Sequence, residues 1–295
     1  MDRFQIEELV ARGGMASVFK AKDLHTGETV ALKIPHPEVE ADVVFYDRFR
    51  REAEIGREID HPGVARVVDS GQKGRLFIAM EWVEGRSLRS VLDAEGKLDK
   101  DRAFRIALGV CDALEYLHSK GVVHRDLKPE NIMLSASDEV KLLDFGVAAK
   151  KGARRLTFGK WSRIMGTADY ISPEQVKGKR GDNRSDIYAL GVIMFEMLTG
   201  GVLFEADSPM LALNMKLRNP APRAPGVSAL IYKALARDPK DRYASAADLA
   251  AAIENPKEEQ PVVTAFKEER VLIYSLIAMI PGVLFVLLFY VANLP

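Results

Sequence analysis

The spacing of apolar residues changes once along this chain, and that change narrows the folds open to it. Through FQIEELVARGGMASVFKAKD and TVALKI, side chains alternate as on a half-buried sheet, with HTG (25–27) as the turn between the two segments. One long polar helix, DVVFYDRFRREAEIGREI, interrupts this part and stops at the breaker His61-Pro62-Gly63. RVVDSGQKGRLFIAMEWV then reads as a hairpin around Gly71 and Gly74. From about Ser87 onward the recurrence is helical, in 101–119, 184–199, 226–236 and 245–253. The expected class is α+β: a small β-rich lobe (about 1–81) with one long helix, EWVEGRS (81–87) as the connection, and a larger, mainly helical lobe (about 88–253).

At 295 residues the chain accommodates one two-lobed domain plus a short appendage. Its 42 basic and 42 acidic residues cancel, so no global field points to nucleic acid. The lone cysteine, Cys111, sits within the helical pattern RAFRIALGVCDALEYLH and reads as a small buried hydrophobe. One cysteine excludes a disulfide framework and a cysteine zinc site, which suits a reducing cytosol.

The appendage lies at the C-terminal end. VLIYSLIAMIPGVLFVLLFYVA (271–292) runs 22 residues without a charge. As a helix it would reach roughly 33 Å, enough for a bilayer core of about 30 Å. It is expected to be one transmembrane helix, kinked at Pro281-Gly282, rather than a buried core helix, which rarely runs so far without a polar face. Lys257, Lys267 and Arg270 precede it and only Asn293, Leu294 and Pro295 follow, so the bulk of the chain is expected on the cytoplasmic side of an inner or plasma membrane, anchored by a single pass. The charged, proline-punctuated stretch 254–270 reads as a juxtamembrane linker. The N-terminal MDRFQIEELV lacks a basic region followed by an apolar run and is not expected to be a signal peptide.

Within the larger part, VVHRDLKPENIML (122–134) has apolar ends and a His, an Arg, an Asp, a Lys and an Asn packed between them. Apolar ends fasten such a turn to a core while its polar middle faces a charged ligand. Downstream come LLDFG (142–146), GTADYISPE (166–174) and SDIYALG (185–191); upstream come VALKIP and a glycine-containing turn. In this order and at these spacings the motifs resemble those of the eukaryotic-like (Hanks-type) serine/threonine protein kinases of bacteria, over about residues 4–253.

The resemblance implies a two-lobed protein kinase fold that transfers the γ-phosphoryl group of ATP to serine or threonine hydroxyls of proteins, with Mg2+, or Mn2+ in its place. By the same resemblance Lys33 would pair with the α and β phosphates and be held by Glu52 of RREAE. Asp126 would accept or orient the hydroxyl proton, and Lys128 would bridge to the transferred phosphate. Asn131 and Asp144 would hold the metal, since hard cations take oxygen ligands. Val18, Ala31, Glu81 and Val83 would line the nucleotide. Glu174 is expected to pair with Arg242, Asp186 to bind the backbone of the catalytic turn, and His124 and Phe145 to be packing residues. The phosphate-covering GxGxxG falls on Ala11-Arg12-Gly13-Gly14-Met15-Ala16, so the first and third glycines are alanines, which implies a stiffer loop.

Two questions stay open at this level. Residues 147–165 carry Lys150, Lys151, Arg154, Arg155, Lys160 and Arg163 and no acid. They read equally as a solvated basic loop, as a cradle for phosphate at Thr157, Ser162 or Thr167 together with Arg125, or as a patch drawn to anionic lipid. The domain reads as an active enzyme, for which a homodimer offers phosphorylation in trans, or as a catalytically silent binding module of the same fold. The complete set of Lys33, Glu52, Asp126, Lys128, Asn131 and Asp144 favours the enzyme.

Overall fold

A computed structural model describes residues 3–14, 16–37, 43–71, 76–144, 149–150 and 169–256. The expected span 271–292, nearly all of the linker, Met15, Phe145, Thr157, Ser162 and Thr167 lie outside these. Among the described residues no helix is long and apolar enough to cross a membrane.

The smaller lobe is an antiparallel sheet of β1 (Phe4–Arg12), β2 (Ala16–Asp23), β3 (Thr29–Pro35), β4 (Val67–Ser70) and β5 (Ile78–Glu81), in the order β1-β2-β3-β5-β4. The turn at residues 24–27 is closed by Gly27 N–H donating to the Asp23 carbonyl, with Gly27 at φ 75°, which glycine adopts without strain. β1 corrects the alternating pattern read from the sequence. It is an edge strand whose Ile6, Leu9 and Val10 stay exposed, because nothing among the described residues covers it. Helix α1 (Val43–Glu58) packs on β4. Its approach depends on Gly56, where a Cβ would lie 2.3 Å from Val67 Cγ2.

The connection after β5 leads into β6 (Arg86–Ser87), α2 (Leu88–Glu95) and α3 (Lys100–Ser119). Ser87 and Asp99 start the two helices by accepting the backbone N–H groups of Ser90 and Arg102. β7 (Val122–Val123), a 3-10 turn (Pro129–Asn131), β8 (Ile132–Leu134) and β9 (Val140–Leu142) follow, with β6, β8 and β9 forming a small sheet. Residues 122–134 thus form a strand, a turn and a strand, with the polar residues on the turn and the apolar ends in the strands. A short pairing of β10 (Ala149–Lys150) with β7 and the short α4 (Pro173–Val176) precede α5 (Asn183–Thr199). Every side chain of α5 from Ser185 to Met197 is buried, as expected for the central helix of a lobe. The described residues finish with α6 (Pro209–Arg218), α7 (Ala229–Ala234) and α8 (Ala246–Glu254). One helical expectation needs correction, since α7 is shorter than the 226–236 pattern, and α2, α4 and α6 lie outside the expected helical segments. α6 buries only Ala212, Leu213 and Lys216, so its sequence lacks a full apolar stripe.

One large apolar cluster fills the helical lobe and includes Cys111, whose thiol burial pushes up to about 12, making it inert. Two smaller clusters lie on either face of the N-terminal sheet. In the helical lobe Arg242 and Glu174 form the expected pair, joined twice at 2.8 and 2.7 Å. Arg242 also donates to the carbonyls of Ala236 and Arg184, and Ser185 Oγ donates to Glu174 at 2.6 Å. Against the cost of burial, Arg242 holds the Glu174 carboxyl below its ordinary value. Arg242→Met should therefore destabilise the protein by about 3–5 kcal/mol, read as a lower urea midpoint, while Glu174→Leu combined with Arg242→Met should recover most of that loss.

Candidate active site

The turn at residues 124–131 is shaped by one buried carboxylate. Asp186, in the first turn of α5, accepts the N–H of His124 at 2.9 Å and that of Arg125 at 2.8 Å, and it accepts His118 Nε2 at 2.8 Å. These donors, His118 first, overcome burial and hold the Asp186 carboxyl below its ordinary value. With both amides captured, Arg125 adopts a left-handed backbone, φ 66°, which costs a non-glycine residue energy and is kept where the surroundings over-determine it. His124 is the packing residue expected: fully buried, it contacts the Leu143 carbonyl through Nε2 at 3.2 Å and accepts the Asp126 N–H through Nδ1 at 3.4 Å.

The 3-10 turn after Lys128 then folds Asn131 back on Asp126. Asn131 Nδ2 donates to the Asp126 carbonyl at 2.8 Å and approaches its carboxylate at 3.4 Å. Lys128 Nζ lies 3.1 Å from Asp126 Oδ2. Asp144 reaches the same place from β9, because Leu143 N–H donates to the Asn131 carbonyl at 2.8 Å. The His61-Pro62-Gly63 breaker fastens this strand from the other lobe: Leu142 N–H donates to the Gly63 carbonyl, and Ala65 N–H to that of Leu142. Asp144 too is left-handed, φ 60°.

Lys33 closes the cleft. From β3 its Nζ donates to Glu52 Oε1 at 2.7 Å and to Asp144 Oδ1 at 2.5 Å. Burial opposes the ammonium charge, but Asp144 and Glu52 outweigh it and raise Lys33 above its ordinary value. Two acids share this one cation unequally. Burial and then the charge of Asp144 push Glu52 up, whereas Asp144, despite burial, is drawn down by Lys33. The Asp144 side chain is also the more accessible, 35% exposed against 6% for Glu52, so it is the carboxylate that a ligand in the cleft meets.

Sheet register assembles the remaining expected positions. Val18 pairs with Lys33 across β2 and β3, Ala31 with Met80 across β3 and β5, and Glu81 ends β5 beside the connection carrying Val83. The Ala11–Ala16 turn is a tight hairpin in which Gly13 N–H donates to the Ala16 carbonyl at 2.9 Å. Ala11 and Ala16 are strand residues with ordinary φ, so the two departures from glycine fall where alanine is unstrained. Sequence reasoning did not find Lys141, whose ammonium binds Glu81 Oε1, nor the cluster of Arg89, Tyr170 and Glu196. Their partners lie 26 to 107 positions apart, beyond any local pattern.

A cationic side chain clamped between the buried Glu52 and the half-buried Asp144, opposite an Asp–Lys–Asn turn in a cleft between a sheet lobe and a helical lobe, is the architecture of phosphoryl-transfer enzymes of the protein kinase class. Residues 4–253 match the protein kinase domain family, and the chain belongs to it. It is 38% identical over 274 residues to a probable serine/threonine-protein kinase of Streptomyces coelicolor, a match covering 88% of this chain and 41% of that protein. It is 38% identical over 263 residues to the serine/threonine-protein kinase PknB of Mycobacterium tuberculosis, covering 85% and 42%. With PknB of Mycobacterium leprae the figures are 37% over 273 residues, 88% and 44%. The chain thus spans about two fifths of the length of these relatives.

Because the folded Asp186 is held below its unfolded value, near 3.9, its contribution to stability is full above that value and is lost as pH falls through the lower folded one. Asp186→Asn should lower the urea midpoint at pH 7, and the gap between the two proteins should narrow as pH falls below about 3.9, the ordinary carboxylate value.

Proposed function

We propose that the chain is an active, membrane-anchored serine/threonine protein kinase that transfers the γ-phosphoryl group of Mg-ATP to protein hydroxyls. The observation that carries this reading is the convergence of Lys33, Glu52, Asp144, Asn131, Asp126 and Lys128 on one cleft through hydrogen bonds of the described geometry. The donor set suits magnesium, which takes few protein oxygens and keeps waters. Asn131 commits its amide nitrogen to Asp126 and so leaves Oδ1 for the metal beside the Asp144 carboxylate. When bound, the metal supplies charge neutralisation of the phosphates. Lys33, kept charged and fixed by Glu52, adds a second positive group on the α and β phosphates. The hairpin 11–16, Val18, Ala31, Glu81 and Val83 enclose the rest of the nucleotide. Asp126 receives or orients the hydroxyl proton, and Lys128, beside it, offsets charge on the phosphoryl group in transit.

The kinase domain is assigned to 1–253, the linker to 254–270 and the membrane helix to 271–292, with the domain on the cytoplasmic side. Regulation by phosphate is supported by Arg125. Burial, and next the charge of Arg180, pushes its guanidinium below its ordinary value, an environment that an anion relieves. Thr157 and Ser162 lie among six basic side chains in the intervening segment and are assigned as the autophosphorylation sites, reached in trans within a homodimer.

Transfer of label from ATP with magnesium, to the chain itself and to a generic protein, tests the reading. Asp126→Asn should lower kcat by about 10²–10⁴, and Asp144→Ala should abolish both transfer and metal-dependent nucleotide binding. Mass spectrometry of the labelled chain should find phosphate at Thr157 or Ser162. An unaltered chain that never labels would favour the binding module. In flotation with lipid vesicles the full chain should rise with the lipid and a chain ending at residue 256 should not; equal behaviour would overturn the anchor.

A further inference from the structure

Lys216 lies on α6 with its side chain 1% exposed. A buried ammonium is costly unless its protons find acceptors. Its acceptors are two main-chain carbonyls: Nζ donates to Asp169 O and, at 3.3 Å, to Ile171 O. The ring of Tyr188 on α5 lies 5.9 Å from the ammonium. None of the motifs contains Lys216, and none of the roles above uses it.

What it holds gives it significance. Residues 169–171 run into Ser172 and α4, and Tyr170 and Ile171 pack beside Arg125, Asp126 and Leu127. Between the two captured carbonyls, the Tyr170 hydroxyl donates to Glu196 Oε2 at 2.6 Å and accepts from Arg89 at 2.8 Å. Three successive residues are thus pinned from two directions, the middle side chain towards α2 and α5 and the flanking carbonyls onto α6. No apolar residue fastens a pair of carbonyls; a long donor is required.

We propose that Lys216 is a positioning residue for the polypeptide acceptor: by bridging the carbonyls of Asp169 and Ile171, it sets the surface on which a substrate's hydroxyl-bearing segment lies beside Asp126. This rests on the kinase reading. It concerns the acceptor and not the nucleotide, because Lys33, Asn131 and Asp144 are anchored on other elements. A titration accompanies the geometry. Burial pushes Lys216 down to about 7, opposed by Asp169. The other ionisable groups facing this contact are Tyr170 on the segment itself, raised by burial; Glu174 on α4, committed to Arg242 and Ser185; Arg89 on α2; and on α5 Tyr188, raised by burial, Glu196, committed to Tyr170 and Arg89, and Asp186, committed to the amides of His124 and Arg125. The charged form of the tether is therefore present below about 7 and lost as pH rises through it.

Lys216→Met keeps the length and apolar bulk while removing the donors. Casein phosphorylation and amide hydrogen exchange are to be measured on the full chain with and without this change. The KM for casein should rise about tenfold, the loss expected for a hydrogen bond from a charged donor, with the KM for ATP unchanged. The rise of casein KM between pH 6 and 8.5 in the unaltered chain should vanish in the variant, and exchange at residues 169–172 should accelerate. An unchanged casein KM overturns the proposal, as does a joint rise of both KM values with a lowered melting midpoint, which marks a merely structural role. If the unaltered chain transfers nothing, the kinase reading fails, and unchanged exchange at 169–172 would then independently overturn the tether.

Discussion

The Asp186 carboxylate is the constraint on which the site depends. A negative charge deep in the helical lobe is tolerable only when fully engaged, and the donors that engage it are the two consecutive amides that begin the turn at residues 124–131, together with His118. Fixing those amides sets the backbone at Arg125, from which the directions of Asp126, Lys128 and Asn131 follow. The strain at Arg125 and the burial of the charge stabilise nothing taken singly. Together they leave the turn one conformation.

The cleft facing that turn is governed by a different principle. Lys33 is shared between a deeply buried acid on α1 and a more accessible acid after β9, so one ammonium ties the sheet lobe's helix to the segment that carries Asp144. The sharing is unequal, and the inequality is useful. Glu52 is buried against Lys33 and Asp144, whereas Asp144 is held ionised and is the more accessible of the two.

Much of this was legible in the sequence because it is local. The change of apolar period placed the two lobes, and the tight polar turns of HRDLKPEN and LLDFG drew attention to residues that the fold does bring together. The pairing of Glu174 with Arg242 and the role of Asp186 followed from the resemblance. What escaped reading is side chain to backbone, or spans many positions. Lys216 binds carbonyls, which every residue carries, and sits on a helix whose apolar stripe is too sparse to mark it. The cluster of Arg89, Tyr170 and Glu196 joins three separate elements, and β1 has an alternating sequence with no layer to bury it.

The close seat of α1 on β4 at Gly56 has a mechanical meaning. With its surface pressed against Val67 there, the helix resembles a beam resting on a fulcrum near one end. Glu52 stands four residues from that support, about 6 Å, and the Val43 end about 20 Å. A push at the far tip reaches the carboxylate demultiplied about threefold, so coarse displacement at the surface becomes fine adjustment of a contact 2.7 Å long.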